Sequence, residues 1–143
     1  MTSNAPVNVL VVDDDRKIRE MLQRVLSREG FAVRTAGSLD EALAALQSAS
    51  FEAVVLDVRM PDPNGVERSG LEVLSFMRND EGLRSIPVLI VTGSELTETE
   101  EKAIWGMHAY VLRKAEGHQP VLEYLKHLTS TPKPGQPERS NPS

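Results

Sequence analysis

The sequence predicts an α/β protein with a doubly wound, five-stranded parallel sheet and five helices. Short apolar runs alternate along the chain with longer segments in which apolar residues recur every three or four positions. Three of the runs are near-continuous Val, Ile and Leu, as strands covered on both faces are. Because parallel strands are joined by right-handed crossovers, strict alternation places helices on both faces of one sheet.

Five apolar runs are the predicted strands. They are VNVLVV (7–12), FAVRTA (31–36), EAVVLD (52–57), IPVLIVT (86–92) and AYVLR (109–113). The first helix follows three aspartates behind the first run, and its apolar residues step by three and four. We expect it to end at Glu29-Gly30, because glycine readily stops a helix.

Capping signals predict where the later helices begin. In a capping box, a Ser or Thr and a Glu three residues later each satisfy a free backbone N–H group at the helix start. Such pairs are Ser38 with Glu41, Ser69 with Glu72, and Thr97 with Glu100. The last helix opens near Pro120, since proline suits the first helical turn.

One domain accounts for most of the chain. A length of 143 residues buries one sizeable core and is too short for two ordinary domains. We assign residues 7–130 to the domain and 1–6 to an N-terminal extension. Residues 131–143 contain four prolines and no apolar stripe, which predicts a Pro-rich flexible tail or linker.

Composition excludes several classes of function. A net charge of -5 without a basic block argues against a nucleic-acid surface. The absence of cysteine excludes disulfides, a thiol nucleophile and Cys-ligated zinc. The first residues, MTSNAP, lack the features of a signal peptide, and no apolar run reaches membrane-spanning length. We therefore expect a cytoplasmic protein that binds no membrane.

Polar side chains follow successive strands at one edge of the predicted sheet. Those at the strand ends are Asp13 and Asp14 (first strand), Asp57 (third), Thr92 (fourth), and Arg113 or Lys114 (fifth). In an open α/β sheet, ligands bind outside the carboxyl ends of the strands. Three carboxylates in one cleft need a hard cation, and Mg²⁺ accepts a few carboxylates together with water and phosphate oxygens. The pattern therefore predicts a magnesium site at this edge.

Each of these residues, taken alone, has an ordinary structural explanation. Asp15, beside the acid pair, is best explained as a helix N-cap. Thr92 alone is a common strand-end hydroxyl, Lys114 a surface lysine, and Asp57 a loop residue satisfied by backbone N–H groups. The joint pattern of acid pair, single acid, hydroxyl and cation at successive strand ends favours a site over coincidence.

With these segments in order, the sequence resembles a known family, the receiver domains of two-component (histidine-to-aspartate phosphorelay) response regulators. The matching segments are VLVVDDD (9–15), VVLDVRMPDPNG (54–65), PVLIVTGS (87–94) and the last predicted strand with its lysine, AYVLRK. The resemblance covers residues 7 to about 128. It implies the flavodoxin-like receiver fold.

The resemblance also implies roles for individual residues. Asp57 resembles the phosphoacceptor, and the Mg²⁺ ligands would be Asp13, Asp14, Asp57 and the backbone carbonyl of Arg59. Thr92 resembles the switch hydroxyl, Lys114 the phosphoryl-binding cation and Tyr110 the switching aromatic. Tyr110 has an equally good explanation as a half-buried strand tyrosine with its hydroxyl at the surface.

The function implied is that of a signalling domain rather than a metabolic enzyme. A sensor histidine kinase or a phosphotransfer protein would donate the phosphoryl group, and the domain would catalyse its own phosphorylation and slow autodephosphorylation. Phosphorylation would switch a surface that binds a downstream protein target or an output domain missing from this sequence. The sequence leaves a homodimer open.

The cation at the last strand has two candidates, because the two family anchors disagree. Counting from Thr92 reaches Lys114, whereas counting from Gly106 through Tyr110 reaches Arg113. A compact ammonium suits a phosphoryl group beside a metal better than a bulky guanidinium does. We therefore expect Lys114 to lie closer to Asp57, with Arg113 facing solvent or an acidic helix.

Residues Val66 to Gly70 depart from the family pattern. They are extra in the loop beside Asp57 and have no assigned role.

Three alternative functions fit the sequence less well. A haloacid-dehalogenase-like phosphatase would use Asp13-x-Asp15, but Lys17 replaces its expected Thr or Val, and Asp57 would go unexplained. A flavodoxin-type cofactor binder needs a phosphate loop that the acidic segment would repel. A phosphorylation-independent pseudo-receiver interaction module ranks lower, because every reactive residue is present.

Overall fold

The computed structural model describes residues 6–129. The predicted tail, 131–143, and all but the last residue of the predicted extension, 1–6, lie outside the described residues. The strands are β1 (Asn8–Val12), β2 (Ala32–Ala36), β3 (Ala53–Leu56), β4 (Val88–Thr92) and β5 (Tyr110–Arg113). The helices are α1 (Arg16–Arg28), α2 (Leu39–Ser48), α3 (Leu71–Arg78), α4 (Glu98–Gly106) and α5 (Gln119–Thr129).

The predicted fold class is confirmed. All strand pairs are parallel, and the strand order is β2-β1-β3-β4-β5. The chain therefore adds strands first on one side of β1 and then on the other. The carboxyl ends of β1 and β3 meet at the point where this order reverses, which is where open α/β sheets bind ligands.

Two hydrophobic cores lie on the two faces of the sheet. Side chains of β1 point alternately to the two faces of the sheet. Leu10 and Val12 pack with residues of α2, α3 and α4. Val9 and Val11 pack with residues of α1 and α5. All four are essentially inaccessible to solvent. The near-continuous apolar runs of the sequence are therefore strands covered on both sides, as predicted.

The three predicted capping boxes have three different outcomes. The box at Thr97 and Glu100 forms completely at the start of α4. Ser38 caps α2, but the Glu41 carboxylate binds the N–H group of Gly37 instead of the cap residue itself.

The box predicted at Ser69 is wrong. Gly70 occupies the N-cap position of α3 and provides no side-chain cap. The Ser69 hydroxyl accepts from Leu71 N–H at 3.0 Å, and Glu72 forms an ion pair with Arg68. Ser69 and Glu72 therefore bind other neighbours instead of each other. The reason is that α3 begins at Leu71, one residue later than a cap at Ser69 requires.

The loop that contains the extra residues folds back on itself. Arg59 and Ser69 form an antiparallel bridge at its base, and Asp62 N–H donates to the Val66 carbonyl at 2.8 Å. Gly65 turns the chain with φ 82°, a conformation that glycine adopts without strain. The inserted loop is thus closed by its own hydrogen bonds and returns the chain to α3 beside Asp57.

Among the helices of residues 6–129, none is long and apolar enough to cross a membrane.

Candidate functional site

The carboxyl edge of the sheet brings three carboxylates together. Asp13 follows β1 and Asp57 follows β3, and these residues are only 3% and 5% exposed. Asp14 is exposed beside them. One carboxylate oxygen from each of the three lies within 4.8 Å of the other two, so the set could hold a metal ion. We call these three residues the acidic edge.

Lys114 supplies a positive charge at the acidic edge. Its ammonium nitrogen lies 3.0 Å from an oxygen of Asp13 and 3.0 Å from an oxygen of Asp57. Arg113 instead donates from Nη1 to the carbonyl oxygen of Ser94 at 3.1 Å. Lys114 begins a short 3-10 turn after β5, which removes it from the side-chain alternation of the strand. The structure therefore places Lys114 beside Asp57 and turns Arg113 toward the loop after β4.

Burial and the lysine act in opposite directions on the two buried carboxyls. Burial raises the pKa of Asp57 and of Asp13, and the hydrogen bonds from Lys114 offset this only in part. Burial also acts to lower the pKa of Lys114, but its two carboxylate partners outweigh this effect and raise it. One ammonium beside three carboxylates leaves an excess of negative charge that a divalent cation would compensate.

Local hydrogen bonds orient Asp13 and assign Asp15 a structural role. The Asp13 carboxylate accepts from Asp15 N–H at 2.9 Å, and the Arg19 guanidinium donates to the Asp13 carbonyl at 2.8 Å. Asp15 is the N-cap of α1, and its side chain accepts from Lys17 N–H at 2.9 Å. Asp15 is therefore a helix cap, as the sequence indicated. The dehalogenase-like interpretation, which needs Asp15 as an acid of the site, is not favoured.

Thr92 and Tyr110 occupy very different environments. Thr92 ends β4, is fully buried, and its hydroxyl oxygen accepts from Ser94 N–H at 3.2 Å. Tyr110 is 51% exposed and stacks on Tyr124 of α5, with ring centroids 4.8 Å apart. That arrangement is typical of a half-exposed strand tyrosine, and a switching role for Tyr110 stays a prediction.

Sequence reasoning missed Gly70. A Cβ atom at this position would lie 1.9 Å from the Asp57 carbonyl oxygen, and Gly70 N–H donates to the Val58 carbonyl at 2.7 Å. The resemblance placed the glycine of the family motif at Gly65, which has open space around it. The available signal was a second glycine, directly before the Leu-Glu pair that opens α3.

Arg59 links the segment after Asp57 to α4, which the sequence did not predict. Its guanidinium forms a two-pronged ion pair with Glu100, and Nη2 also donates to the Glu95 carbonyl at 2.8 Å. The hydrogen bond and charge of Arg59 lower the pKa of Glu100. The Arg59 side chain therefore binds Glu100 of α4, while its backbone lies two residues after Asp57.

Similar proteins carry the same domain. A family model described as "Response regulator receiver domain" matches residues 9–126. The probable transcriptional regulatory protein TcrX of Mycobacterium tuberculosis is 40% identical over 93 residues, which cover 65% of this chain and 37% of TcrX. The chain spans from about a third to about half of the length of the curated relatives it matches.

Two solved structures have the same fold over nearly the whole described chain. The chemotaxis protein CheY4 of Vibrio cholerae has a TM-score of 0.75 and 30% identity, covering 87% of this chain and 99% of that one. The response regulator TrrA of Thermotoga maritima, solved in complex with Mg(2+)-BeF, has a TM-score of 0.71 and 31% identity, covering 85% and 98%. With the family model matching most of the sequence, this chain belongs to the response regulator receiver domain family.

Proposed function

We propose that this receiver domain accepts a phosphoryl group on Asp57. The observation that carries the proposal is the position of that carboxylate: it is 5% exposed, lies 3.0 Å from the Lys114 ammonium, and belongs to the acidic edge. A carboxylate in this setting has a cation within 3.0 Å and two further metal-ligand candidates within 4.8 Å. Membership of the receiver family supports the same role.

The residues of the acidic edge fit Mg²⁺. They offer hard carboxylate oxygens close together, and Asp14 stays open to solvent, which suits an ion that keeps several waters. Asp13, Asp14 and Asp57 would hold it, with the backbone carbonyl of Arg59 as a further ligand. When bound, Mg²⁺ supplies positive charge that neutralises the transferring phosphoryl group. The similarity to TrrA, which was solved with Mg²⁺, supports this choice.

The chain's own residues account for the remaining chemistry. An Asp57 oxygen forms the new bond to phosphorus while the bond from phosphorus to the donor breaks, and the leaving group keeps that electron pair. Lys114, whose ammonium lies 3.0 Å from an Asp57 oxygen, would balance charge on the phosphoryl oxygens. The fully buried Thr92 hydroxyl would then donate to a phosphoryl oxygen, and its loop would respond to the added charge.

The partners are those that the chemistry requires. We propose a sensor histidine kinase or a phosphotransfer protein as donor, and a downstream protein target or an output domain as receiver of the signal. Slow autodephosphorylation would return the domain to its resting state. The relatives are longer regulators, and TcrX is described as a transcriptional regulatory protein, which supports an output beyond this domain.

Labelling by a small phosphodonor tests the proposal. The protein is incubated with Mg²⁺ and acetyl phosphate, and intact mass spectrometry should find one added phosphoryl group. Asp57→Asn should abolish the added mass. Asp15→Asn is the matched control, because it makes the same chemical change in the N-cap residue of α1. Asparagine caps helices as well as aspartate does. Full labelling of the Asp57→Asn protein would contradict the proposal.

A further inference from the structure

A second network of contacts lies beside the acidic edge, on the side of α4. Apart from the pairs of Lys114, the Arg59–Glu100 ion pair is the most shielded one that the structure describes, with side chains 34% and 19% exposed. A bidentate guanidinium–carboxylate pair of this kind fixes geometry as well as charge. Arg59 is therefore held in one orientation by α4.

Arg59 also reaches Asp57 through the backbone. Arg59 lies two residues after Asp57, and the carbonyl of the intervening Val58 accepts from Gly70 N–H at 2.7 Å. The Arg59 backbone forms the bridge to Ser69 at the base of the inserted loop. One residue thus connects the segment after Asp57, the inserted loop and α4.

Glu100 is itself oriented by the start of α4. Its Oε1 accepts from Thr97 N–H at 2.9 Å, and its own N–H donates to the Thr97 hydroxyl at 3.0 Å. The carboxylate therefore presents its oxygens to Arg59 from a capped helix end. A guanidinium matches such a fork with little further loss of freedom.

We propose that Glu100 is a positioning residue for phosphoryl transfer to Asp57, acting through Arg59. By holding the guanidinium on α4, Glu100 fixes the backbone of residues 58–59, which directly follows Asp57 and is joined to Ser69 and Gly70. This inference rests on the proposed phosphorylation of Asp57. Outer contacts that orient a metal ligand or reacting group commonly change activity by roughly 10- to 100-fold.

A double-mutant cycle measures the effect. Glu100→Ala and Arg59→Ala should each slow labelling by acetyl phosphate about tenfold at saturating Mg²⁺. The double variant should be no slower than either single variant, because the two side chains act as one unit. Glu101→Ala, which removes an exposed carboxylate one residue further along the same helix, should label at the wild-type rate.

Amide chemical shifts in the unlabelled protein separate positioning from a general loss of stability. The Val58 and Arg59 amide signals should shift in Glu100→Ala and stay in place in Glu101→Ala. Wild-type labelling by Glu100→Ala, additive slowing in the double variant, or unmoved amide signals would overturn the inference and leave the proposed function standing. A wild-type protein that takes no label would overturn both.

Discussion

The two loops that deliver carboxylates to the acidic edge differ in how much of their structure is local. The β1–α1 loop, residues 13–15, has two hydrogen bonds that span only two residues, from Asp15 N–H to Asp13 and from Lys17 N–H to Asp15. Asp13 alone reaches distant partners, through its N–H to the Ala36 carbonyl and its carboxylate to Lys114. The β3–α3 loop, residues 57–70, closes on itself through backbone hydrogen bonds, and Arg59 also ties it to the distant residues Glu95 and Glu100. The conformation of the short loop depends largely on near neighbours in the sequence, whereas that of the long loop also depends on how other elements pack against it.

The largest expected effect comes from the contact that closes the long loop. Gly70→Ala would place a methyl group 1.9 Å from the Asp57 carbonyl oxygen, so the backbone of the loop must move. We expect a loss in the free energy of unfolding at or above the roughly 3 kcal/mol upper end of ordinary overpacking. Urea denaturation measures it. Gly106→Ala is the control, because its added methyl group meets no atom within 4 Å beyond the nearby backbone of its own helix. An equal loss in both variants would mean that the Asp57 contact is unimportant.

The next effect concerns the residue that joins the two loops. Lys114→Gln removes the cation that lies 3.0 Å from both Asp13 and Asp57, and leaves two buried carboxylates facing each other. Because Lys114 is partly exposed, we expect a loss of roughly 2 kcal/mol, less than the 3 to 5 kcal/mol of a fully buried pair. Denaturation of Lys102→Gln, which alters an exposed pair, provides the comparison. Equal stability of the two variants would show that Lys114 does not couple the loops.

Metal binding distinguishes Asp14, a candidate metal ligand, from Asp15, the cap of α1. Mg²⁺ at ten times its dissociation constant should raise the free energy of unfolding by about 1.4 kcal/mol, because it binds only the folded chain. Asp14→Ala should remove most of that gain, whereas Asp15→Asn should keep it, since Asp15 caps α1. Thermal melts with and without Mg²⁺ measure both. An undiminished gain in Asp14→Ala would limit the short loop to its capping role.

The smallest effect is a dependence on pH. Burial raises the pKa of Asp57, so the folded protein binds this proton more tightly than the unfolded chain does. At pH 7 the ionised carboxylate therefore costs stability, and Asp57→Asn should gain on the order of 1 kcal/mol in the absence of Mg²⁺. As pH falls through the raised pKa, wild-type Asp57 takes up its proton and the advantage should disappear. Denaturation of both proteins at several pH values measures the difference in their free energies of unfolding. A difference that does not change with pH would contradict a raised pKa of Asp57.

The same contrast explains what could be predicted from the sequence. The parallel sheet with a core on each face and the cap at Asp15 follow from periodicity and from contacts between near neighbours, which a sequence displays directly. The error at Ser69 and the missed Gly70 both fall in the β3–α3 loop. There the structure depends on how closely α3 approaches the Asp57 backbone, a distance that no local pattern encodes.

The position of the cation shows the same limit at β5. Spacing alone left Lys114 and Arg113 as alternatives, because alternation along a strand holds only while the strand continues. The strand ends at Arg113 and a 3-10 turn begins at Lys114, which brings the ammonium to the two carboxylates. The compact ammonium, expected on chemical grounds, is the group that the structure places there.

The most direct test of the account is to locate the phosphoryl group after labelling with acetyl phosphate and Mg²⁺. Peptide mass spectrometry separates the β1–α1 segment, which carries Asp13 and Asp14, from the β3–α3 segment, which carries Asp57. The account predicts one phosphoryl group per chain, on the peptide with Asp57, and none in the Asp57→Asn protein. A phosphoryl group on the peptide with Asp13 and Asp14 would contradict it.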